Sequence, residues 1–146
     1  MEIKTLLEQR GLLIFDGAMG TQLQAKGLKT GETPELLNLT AKDLLKEIHR
    51  SYIDAGADII SANTFGANSY KLSHSGKSVD EVITAGIINC KEAIKESGKD
   101  VFCALDIGPI GQLLEPTGSL KFEEAYDIFK EEIAAGYKAG ADVVLF

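Results

Sequence analysis

The sequence predicts an α/β fold built on a parallel sheet. One pattern occurs four times along the 146 residues: an amphipathic helix, a glycine, a short polar step and an apolar strand. Two nearly identical segments support the repeat, because residues 55–60 read AGADII and residues 139–144 read AGADVV. The predicted strands are apolar on both faces, which is typical of a parallel sheet that is buried between helices.

The first two units follow from the spacing of apolar residues. A short helix precedes the first predicted strand at residues 12–15. The second helix is predicted to begin at Thr40, where Asp43 three residues later makes an approximate capping box. Gly56 is expected to end that helix in the left-handed conformation, and residues 57–62 form the second strand.

The third and fourth units have clearer signals. Ser78 and Glu81 form an S-x-x-E capping box at the start of the third helix, and its strand follows at residues 101–105. The fourth helix leads to a strand at residues 141–146. Its apolar face predicts residues that pack in the core rather than contact a cofactor: Phe122, Ala125, Tyr126, Phe129, Ile133 and Tyr137.

Two architectures can accommodate four such strands. One is a small open, doubly wound sheet, and the other is the first half of an eight-stranded barrel. An open sheet ending on a bare strand would leave an apolar edge and face exposed. We therefore favour a parallel (β/α)8 fold of the TIM-barrel type, of which this chain holds the first four βα units. Residues 1–146 would be the N-terminal half of such a barrel, truncated after its fourth strand.

Charge and composition exclude several classes of function. The formal net charge of −7 argues against a nucleic acid or an anionic membrane as partner. No apolar run approaches the ~20 residues that cross a bilayer. Cys90 and Cys103 have neither disulfide nor metal-ligand spacing, so we expect two buried thiols in a reducing cytoplasm. His49 is expected on a helix face outside the barrel, without a catalytic role.

Polar side chains stand where the predicted strands end, which is where parallel α/β folds bind ligands. Asp16, Asn63 with Thr64, and Asp106 occupy these positions. The loop at residues 16–21, DGAMGT, lacks the lysine of a phosphate-binding loop, but its consecutive amides can bind an anion. Each of these residues also has a structural alternative, as a turn former, a strand-end cap or a brace between loops.

Six motifs in order give a resemblance to a known family. They are DGAMGT at 16–21, LN at 37–38, HRSY at 49–52, AGAD at 55–58, NTFGA at 63–67 and DIGP at 106–109. Together they resemble the start of the homocysteine S-methyltransferase family, in particular the N-terminal homocysteine-binding domain of its cobalamin-dependent methionine synthases. The resemblance covers nearly the whole chain.

The resemblance implies a reaction in which a methyl group moves to the sulfur of homocysteine and gives methionine. In the family a zinc ion held by three cysteines binds that sulfur, and a metal-bound thiol is deprotonated outright. Those cysteines lie in the second half of the family barrel and have no counterpart here. Cobalamin and methyltetrahydrofolate are expected on other domains of a longer parent protein. The chain by itself is therefore expected to bind no catalytic zinc and to be inactive.

The resemblance also assigns site residues, all of them to substrate binding and none to catalysis or metal binding. Asp16 would accept hydrogen bonds from the substrate ammonium group, and the substrate carboxylate would meet the following loop. A glutamate for the amino group is expected immediately after Phe146. The full predicted set is Asp16, Gly17, Ala18, Met19, Gly20, Thr21, Asn63, Thr64, Phe65, Asp106 and Gly108.

The expected partners follow from the same interpretation. They are homocysteine, the remaining half of the barrel, and the folate and cobalamin domains of the parent. The alternative hypothesis belongs to another class: a non-catalytic binding or assembly module, in which two half barrels form a homodimer that buries their exposed edges.

Overall fold

The structure, a computed structural model, describes residues 2–146. Three strands alternate with helices: β1 (Ile59–Ser61), β2 (Phe102–Asp106) and β3 (Val143–Leu145). The helices are α1 (Ile3–Arg10), α2 (Met19–Ala25), α3 (Leu37–Thr40), α4 (Lys42–Ala55), α5 (Val79–Ser97) and α6 (Phe122–Ala139), with a short 3-10 helix at Pro34–Leu36. None of the helices in this part of the chain is both long and apolar enough to cross a membrane.

The sheet has the order β1-β2-β3, and both pairs are parallel. Ile59 lies opposite Phe102, and Ala104 lies opposite Val143, so consecutive strands are neighbours. This arrangement confirms the predicted α/β class and parallel pairing. Three strands, however, do not by themselves establish a barrel.

The first predicted strand, at residues 12–15, is reduced to an isolated bridge between Phe15 and Ile59. The segment still runs parallel to β1, because the Asp58 amide donates to the Ile14 carbonyl at 2.8 Å and the Asp16 amide donates to the Ile59 carbonyl at 3.0 Å. On its other side no strand of residues 2–146 pairs with it, and Ile14 is 55% exposed. Because it has a neighbouring strand on one side only, the 12–15 segment occupies the position of a strand but lacks a complete ladder of hydrogen bonds.

Helix boundaries test the predicted caps. The Ser78 hydroxyl accepts a hydrogen bond from the Glu81 amide at 3.1 Å, which confirms this half of the predicted capping box. The predicted start at Thr40 is wrong. Thr40 is the last residue of α3, its hydroxyl donates to the Leu36 carbonyl at 3.4 Å, and α4 begins at Lys42 without a side-chain cap. Thr40 therefore belongs to the separate short helix α3 and does not cap α4.

The main core lies between the sheet and the long helices. Helix α5 packs against both α4 and α6 and against β2. Ile60, Ile87 and Leu105 are completely buried there, and Cys90 and Cys103 are buried as predicted. Helix α6 approaches β2 closely at Gly136, where an added Cβ atom would lie 2.5 Å from the Leu105 side chain.

His49 lies on a helix, as predicted, and is fully buried in α4. Burial lowers the pKa of His49 to about 4, so the imidazole is neutral at physiological pH.

The apolar face of α6 is the largest departure from the predicted core. Phe122, Tyr126 and Tyr137 are 68%, 58% and 83% exposed, so they are not core residues. They line an open groove of about 620 Å³ together with Phe146, whose ring meets that of Phe129 edge-on at 6.1 Å. Helical spacing identifies an apolar face correctly, but no other element among residues 2–146 fills the groove in front of it. We call this surface the α6 groove.

Candidate functional site

A cavity of about 180 Å³ opens at the carboxyl ends of β1, β2 and the 12–15 segment. Parallel strands place their carboxyl ends on the same edge, so side chains distant in sequence meet there. Eight residues of the predicted set line this cavity: Asp16, Gly17, Ala18, Met19, Asn63, Thr64, Phe65 and Asp106. Gly20, Thr21 and Gly108 are not among its lining residues.

Asp16 is held against β1 by a residue that is absent from the predicted set. The Ser61 amide donates to one carboxylate oxygen of Asp16 at 2.9 Å, and the Ser61 hydroxyl donates to the other at 3.0 Å. Burial raises the pKa of Asp16 above its usual value, although both hydrogen bonds act in the opposite direction. Ser61 could have been noticed as the one hydroxyl in an otherwise apolar strand.

Asp106 ends β2 on the other side of the cavity. Burial raises the pKa of Asp106 to about 6, and the negative charges of Asp16 and Glu35 contribute to the rise. Both charges therefore disfavour the ionised form of Asp106. A cation beside Asp106 and Asp16 would offset this repulsion, so the arrangement favours a positively charged ligand group.

Thr64 links the ends of the two strands rather than turning its hydroxyl to the cavity. Its Oγ1 accepts a hydrogen bond from the Asp106 amide at 3.0 Å and donates one to the Asp106 carbonyl at 2.8 Å. Because both contacts are to main-chain atoms of Asp106, they fix the backbone from which its carboxyl side chain projects. Thr64 is thus suited to positioning Asp106.

Asn63 directs its amide into the scaffold. Its Nδ2 donates to the Pro34 carbonyl at 2.8 Å and to Asn38 Oδ1 at 3.0 Å. Asn38 in turn donates to the Asn63 carbonyl at 2.8 Å. This geometry agrees with the structural alternative for Asn63, a cap that ties the strand end to the 34–38 segment.

Glu35 is a residue that sequence reasoning missed. It is 5% exposed, and its Oε1 accepts a hydrogen bond from the Gly66 amide at 2.7 Å. A Cβ atom at residue 66 would lie 2.8 Å from the same oxygen, so a larger residue there would displace the Glu35 carboxylate. Nothing in the local sequence distinguishes Glu35 from an ordinary surface glutamate, because its partner is 31 residues away.

The loop after Asp16 is shaped by an aromatic ring from α4. The Tyr52 hydroxyl donates to the Ala18 carbonyl at 3.0 Å, and a Cβ atom on Gly17 would lie 2.9 Å from the ring. Helix α2 begins at Met19, so Gly20 and Thr21 belong to its first turn. The Thr21 hydroxyl donates back to the Ala18 carbonyl at 3.4 Å.

Gly108 supports the cavity wall from behind. Its amide donates to the Phe65 carbonyl at 3.0 Å, and an added Cβ atom would lie 2.5 Å from that oxygen. The Phe65 ring is 52% exposed and lines the cavity. Gly108 thus fixes the backbone that carries Phe65.

The described residues do not fit a catalytic metal. Residues 2–146 contain no group of three His, Cys, Asp or Glu side chains arranged to hold a metal ion. Cys90 and Cys103 are buried in the core, and burial raises the pKa of Cys90 well above its usual value, which disfavours the thiolate that zinc needs. No chemical step at this cavity can therefore be assigned to a metal held by these residues.

Comparison with known proteins establishes the family. The sequence profile of the homocysteine S-methyltransferase family matches residues 13–146. The chain belongs to this family. The match begins just before Asp16 and includes every residue that lines the cavity.

Two methionine synthases are similar to this family member over nearly its whole length. The protein from Mycobacterium tuberculosis is 30% identical over 155 aligned positions, covering 99% of this chain. The protein from Mycobacterium leprae is 31% identical over 150 positions, covering 95%. The chain spans only 13% and 12% of the length of these two relatives.

Solved structures of the homocysteine methyltransferase MmuM from Escherichia coli share the fold. The oxidized form superposes with a TM-score of 0.84 at 20% identity, and the metallated form with a TM-score of 0.81 at 21% identity. Both alignments cover 97% of this chain and 55% of the other. The chain therefore spans about half the length of these relatives.

Proposed function

We propose that the chain is the homocysteine-binding part of a methyltransferase that transfers a methyl group to the sulfur of homocysteine and produces methionine. The observation that carries the proposal is that Asp16 and Asp106 line one small cavity in a member of the homocysteine S-methyltransferase family. At about 180 Å³ the cavity is below the roughly 300 Å³ at which pockets for drug-sized ligands begin, so a small amino acid suits it.

The two ends of an amino acid suit different parts of this cavity. The ammonium group would lie between Asp16 and Asp106, where it offsets the repulsion of their carboxylates. The carboxylate would receive the backbone amides of residues 17–19, since consecutive amides bind anions without a lysine. Gly20 and Thr21 would act through the first turn of α2, and Gly108 through Phe65. Asn63 and Thr64 would hold the strand ends in place.

The proposal includes completion of the half barrel by further polypeptide. The outer edge of β3 has no neighbour within residues 2–146, and the α6 groove beside it is open. Within the chain each long helix packs on the one before it, α5 on α4 and α6 on α5. A following βα unit would extend this pattern, with its strand on β3 and its helix in the groove. The greater length of the MmuM structures is consistent with such an extension.

Zinc, cobalamin and methyltetrahydrofolate would be supplied by the parent outside this chain. Zinc bound to the homocysteine sulfur would provide a thiolate at neutral pH. The support is that one solved relative is described as metallated and that the methionine synthases extend far beyond the aligned region. The contribution of this chain would be to bind and orient the amino-acid end of homocysteine. The comparisons give no support to the alternative of a self-associating assembly module.

Calorimetry on a reconstituted barrel tests the proposed function. The chain would be co-expressed with the part of the Mycobacterium tuberculosis methionine synthase that follows the aligned region, loaded with zinc and titrated with homocysteine. We expect binding that weakens at least about tenfold in Asp16→Asn, because a charge-assisted hydrogen bond to the ammonium group is lost. Asp127→Asn, on the exposed side of α6, is the matched control and should bind like the wild type. Equal affinity of all three proteins would contradict the assignment.

A further inference from the structure

Asn38 is a buried asparagine of helix α3 whose side-chain amide is fully hydrogen-bonded. Its Nδ2 donates to the Asn63 carbonyl at 2.8 Å and to the Val82 carbonyl at 3.1 Å. Its Oδ1 accepts a hydrogen bond from Asn63 Nδ2 at 3.0 Å. The amide thus uses both of its N–H donors and its oxygen, although the residue is only 3% exposed. A buried polar group that is satisfied in this way specifies one arrangement of the elements that it joins.

The hydrogen bond to the Asn63 carbonyl acts on the residue that positions Asp106. This carbonyl belongs to the peptide unit between Asn63 and Thr64, and the N–H of the same unit donates to the Ala62 carbonyl at 2.8 Å. A peptide unit is planar, so holding its oxygen and its N–H fixes its orientation and with it the Cα atom of Thr64. The Thr64 hydroxyl then bonds twice to the main chain of Asp106. An unbroken series of contacts therefore runs from Asn38 through Thr64 to Asp106.

Glu35 holds the other end of the loop at residues 63–66. Its Oε1 accepts a hydrogen bond from the Gly66 amide at 2.7 Å. Both ends of this loop are therefore tied to one short helical stretch of chain, at Glu35 and at Asn38. Phe65, whose ring lines the cavity, lies between the two points of attachment.

Helix α5 approaches Asn38 closely at Gly86. A Cβ atom on Gly86 would lie 2.7 Å from Asn38 Nδ2 and 3.0 Å from the methyl carbon of Thr64. Gly86 is in the interior of α5, where glycine is a poor helix former. The glycine thus makes room both for the Asn38 amide and for the residue that this amide positions.

We propose that Asn38 is a positioning residue of the homocysteine site, which acts through the Asn63–Thr64 peptide unit and sets the place of Asp106. Asn38 is not among the residues that line the cavity. Without its side chain the peptide unit loses the hydrogen bond at its oxygen, and Thr64 no longer holds the Asp106 backbone in one place. The substrate ammonium group then meets a carboxylate that is less well placed. The effect on affinity rests on the proposed function, whereas the effect on the order of the site does not.

Amide hydrogen exchange on the chain alone tests the order of the site. The Asp106 amide donates to Thr64 Oγ1, so its protection factor reports this contact. Dividing this factor by that of the Cys90 amide, in the interior of α5, removes a change in global stability. We expect Asn38→Ala to lower the ratio by about fivefold or more, because the Asn63 carbonyl loses its donor.

Asn89→Ala is the matched control. Asn89 is an asparagine of equal burial, 2% exposed, and its Nδ2 donates to the main-chain carbonyl of Asn38 at 3.0 Å. It holds the backbone of α3 rather than the side-chain amide of Asn38, so the ratio should stay within about twofold of the wild type. An equal fall in the two variants would show that Asn38 only stabilises the core, and this would overturn the proposal. An unchanged ratio in Asn38→Ala would overturn it as well.

Gly86→Ala provides an independent test that retains Asn38. The substitution should strengthen helix α5, but the added methyl group presses on the Asn38 amide and on Thr64. We expect the Asp106 ratio to fall, and a ratio that stays level counts against the proposal. If Asn38→Ala does not fold, the wild type decides. Its Asn38 Nδ2 protons must then exchange through the same opening as the Asp106 amide, and independent opening of the two contradicts the proposal.

Calorimetry on the reconstituted barrel measures the effect on affinity. We expect the dissociation constant of homocysteine to rise about threefold or more in Asn38→Ala and to stay within about twofold of the wild type in Asn89→Ala. Equal weakening in both variants would again overturn the positioning role. If the wild-type barrel itself binds no homocysteine, the proposed function fails, and the exchange ratio alone decides whether Asn38 positions Asp106.

Discussion

The carboxylate of Asp58 accepts a hydrogen bond from the main-chain amide of Ile14 at 2.9 Å. Asp142 makes the equivalent contact, accepting from the Cys103 amide at 2.8 Å. Both aspartates are the fourth residue of an AGAD motif and stand just before a strand. Each one thus ties its own strand to the neighbour on which that strand pairs. The repeated AGAD motif therefore marks two equivalent hydrogen bonds between neighbouring strands. Both lie at the amino ends of the strands, opposite the candidate site.

Removing the hydrogen bond that the Asp58 carboxylate accepts should lower the stability of the fold. Asp58 is 4% exposed and also pairs with Arg10, so Asp58→Ala leaves the Ile14 amide and the Arg10 guanidinium without this acceptor. We expect a loss of about 1–3 kcal/mol in the free energy of unfolding, measured by urea denaturation. Asp58→Asn keeps one acceptor and should lose less. Asp127→Ala, an exposed change on α6, should stay within about 0.5 kcal/mol of the wild type. A similar loss in both alanine variants would remove the special role of Asp58.

A second prediction concerns the glycine behind Phe65. Gly108→Ala would place a Cβ atom 2.5 Å from the Phe65 carbonyl oxygen, and backbone atoms cannot rotate away as a side chain can. We expect a destabilisation of about 1–3 kcal/mol. Gly20→Ala is the matched control, because an added Cβ atom there meets nothing within 4 Å and residue 20 lies in α2. This variant should gain up to about 1 kcal/mol from helix propensity. Thermal unfolding of both variants against the wild type gives the comparison, and a neutral Gly108→Ala would show that the loop relaxes freely.

The signals that the sequence supplied were local. The Ser78 cap and the helix-ending glycines depend on residues close together in the chain, and the structure places them as predicted. Asp16 and Asp106 line one cavity, although the segment before Asp16 forms only an isolated bridge. Glu35 and Ser61 were missed because their partners are 31 and 45 residues away. The exposure of the α6 face could not be foreseen either. Spacing reports which face of a helix is apolar, but only the surrounding elements decide whether that face is covered.

The raised pKa of Asp106, about 6, implies a pH-dependent stability. Its value in the unfolded chain is close to 3.8, so the folded state binds more protons between these limits. Stability from this group is therefore fully present below about pH 4 and is lost as the pH rises through 6. Asp106→Asn should stabilise the fold at pH 7 relative to the wild type and should not do so at pH 4. The shift of about 2 pKa units would correspond to about 3 kcal/mol, and solvent screening of this half-buried group reduces the expectation to about 1 kcal/mol.

Urea denaturation at the two pH values measures this difference directly. Asp43→Asn, on the exposed side of α4, is the control for a general charge effect in a protein of net charge −7. A gain at pH 7 in both variants would point to net charge rather than to the site. A loss at pH 7 in Asp106→Asn would mean that its carboxylate is paired in the folded state. In the reconstituted barrel the same substitution should weaken homocysteine binding. The ionised Asp106 carboxylate would thus lower the stability of the fold and raise the affinity for homocysteine.

The α6 groove gives a prediction that separates folding from assembly. Tyr137 is 83% exposed, so Tyr137→Lys should change the stability of the chain alone by less than about 0.5 kcal/mol. If the groove receives the helix of a following βα unit, the same lysine would be buried in an apolar contact and should weaken association with the complementary half by about tenfold or more. Ile88→Lys is the matched control, because Ile88 is 43% exposed on α5 and is not part of the groove. Analytical ultracentrifugation of the mixed halves measures the affinity. Equal weakening by both lysines would show that added charge, and not the groove, opposes assembly, whereas full affinity in Tyr137→Lys would mean that the complement docks elsewhere.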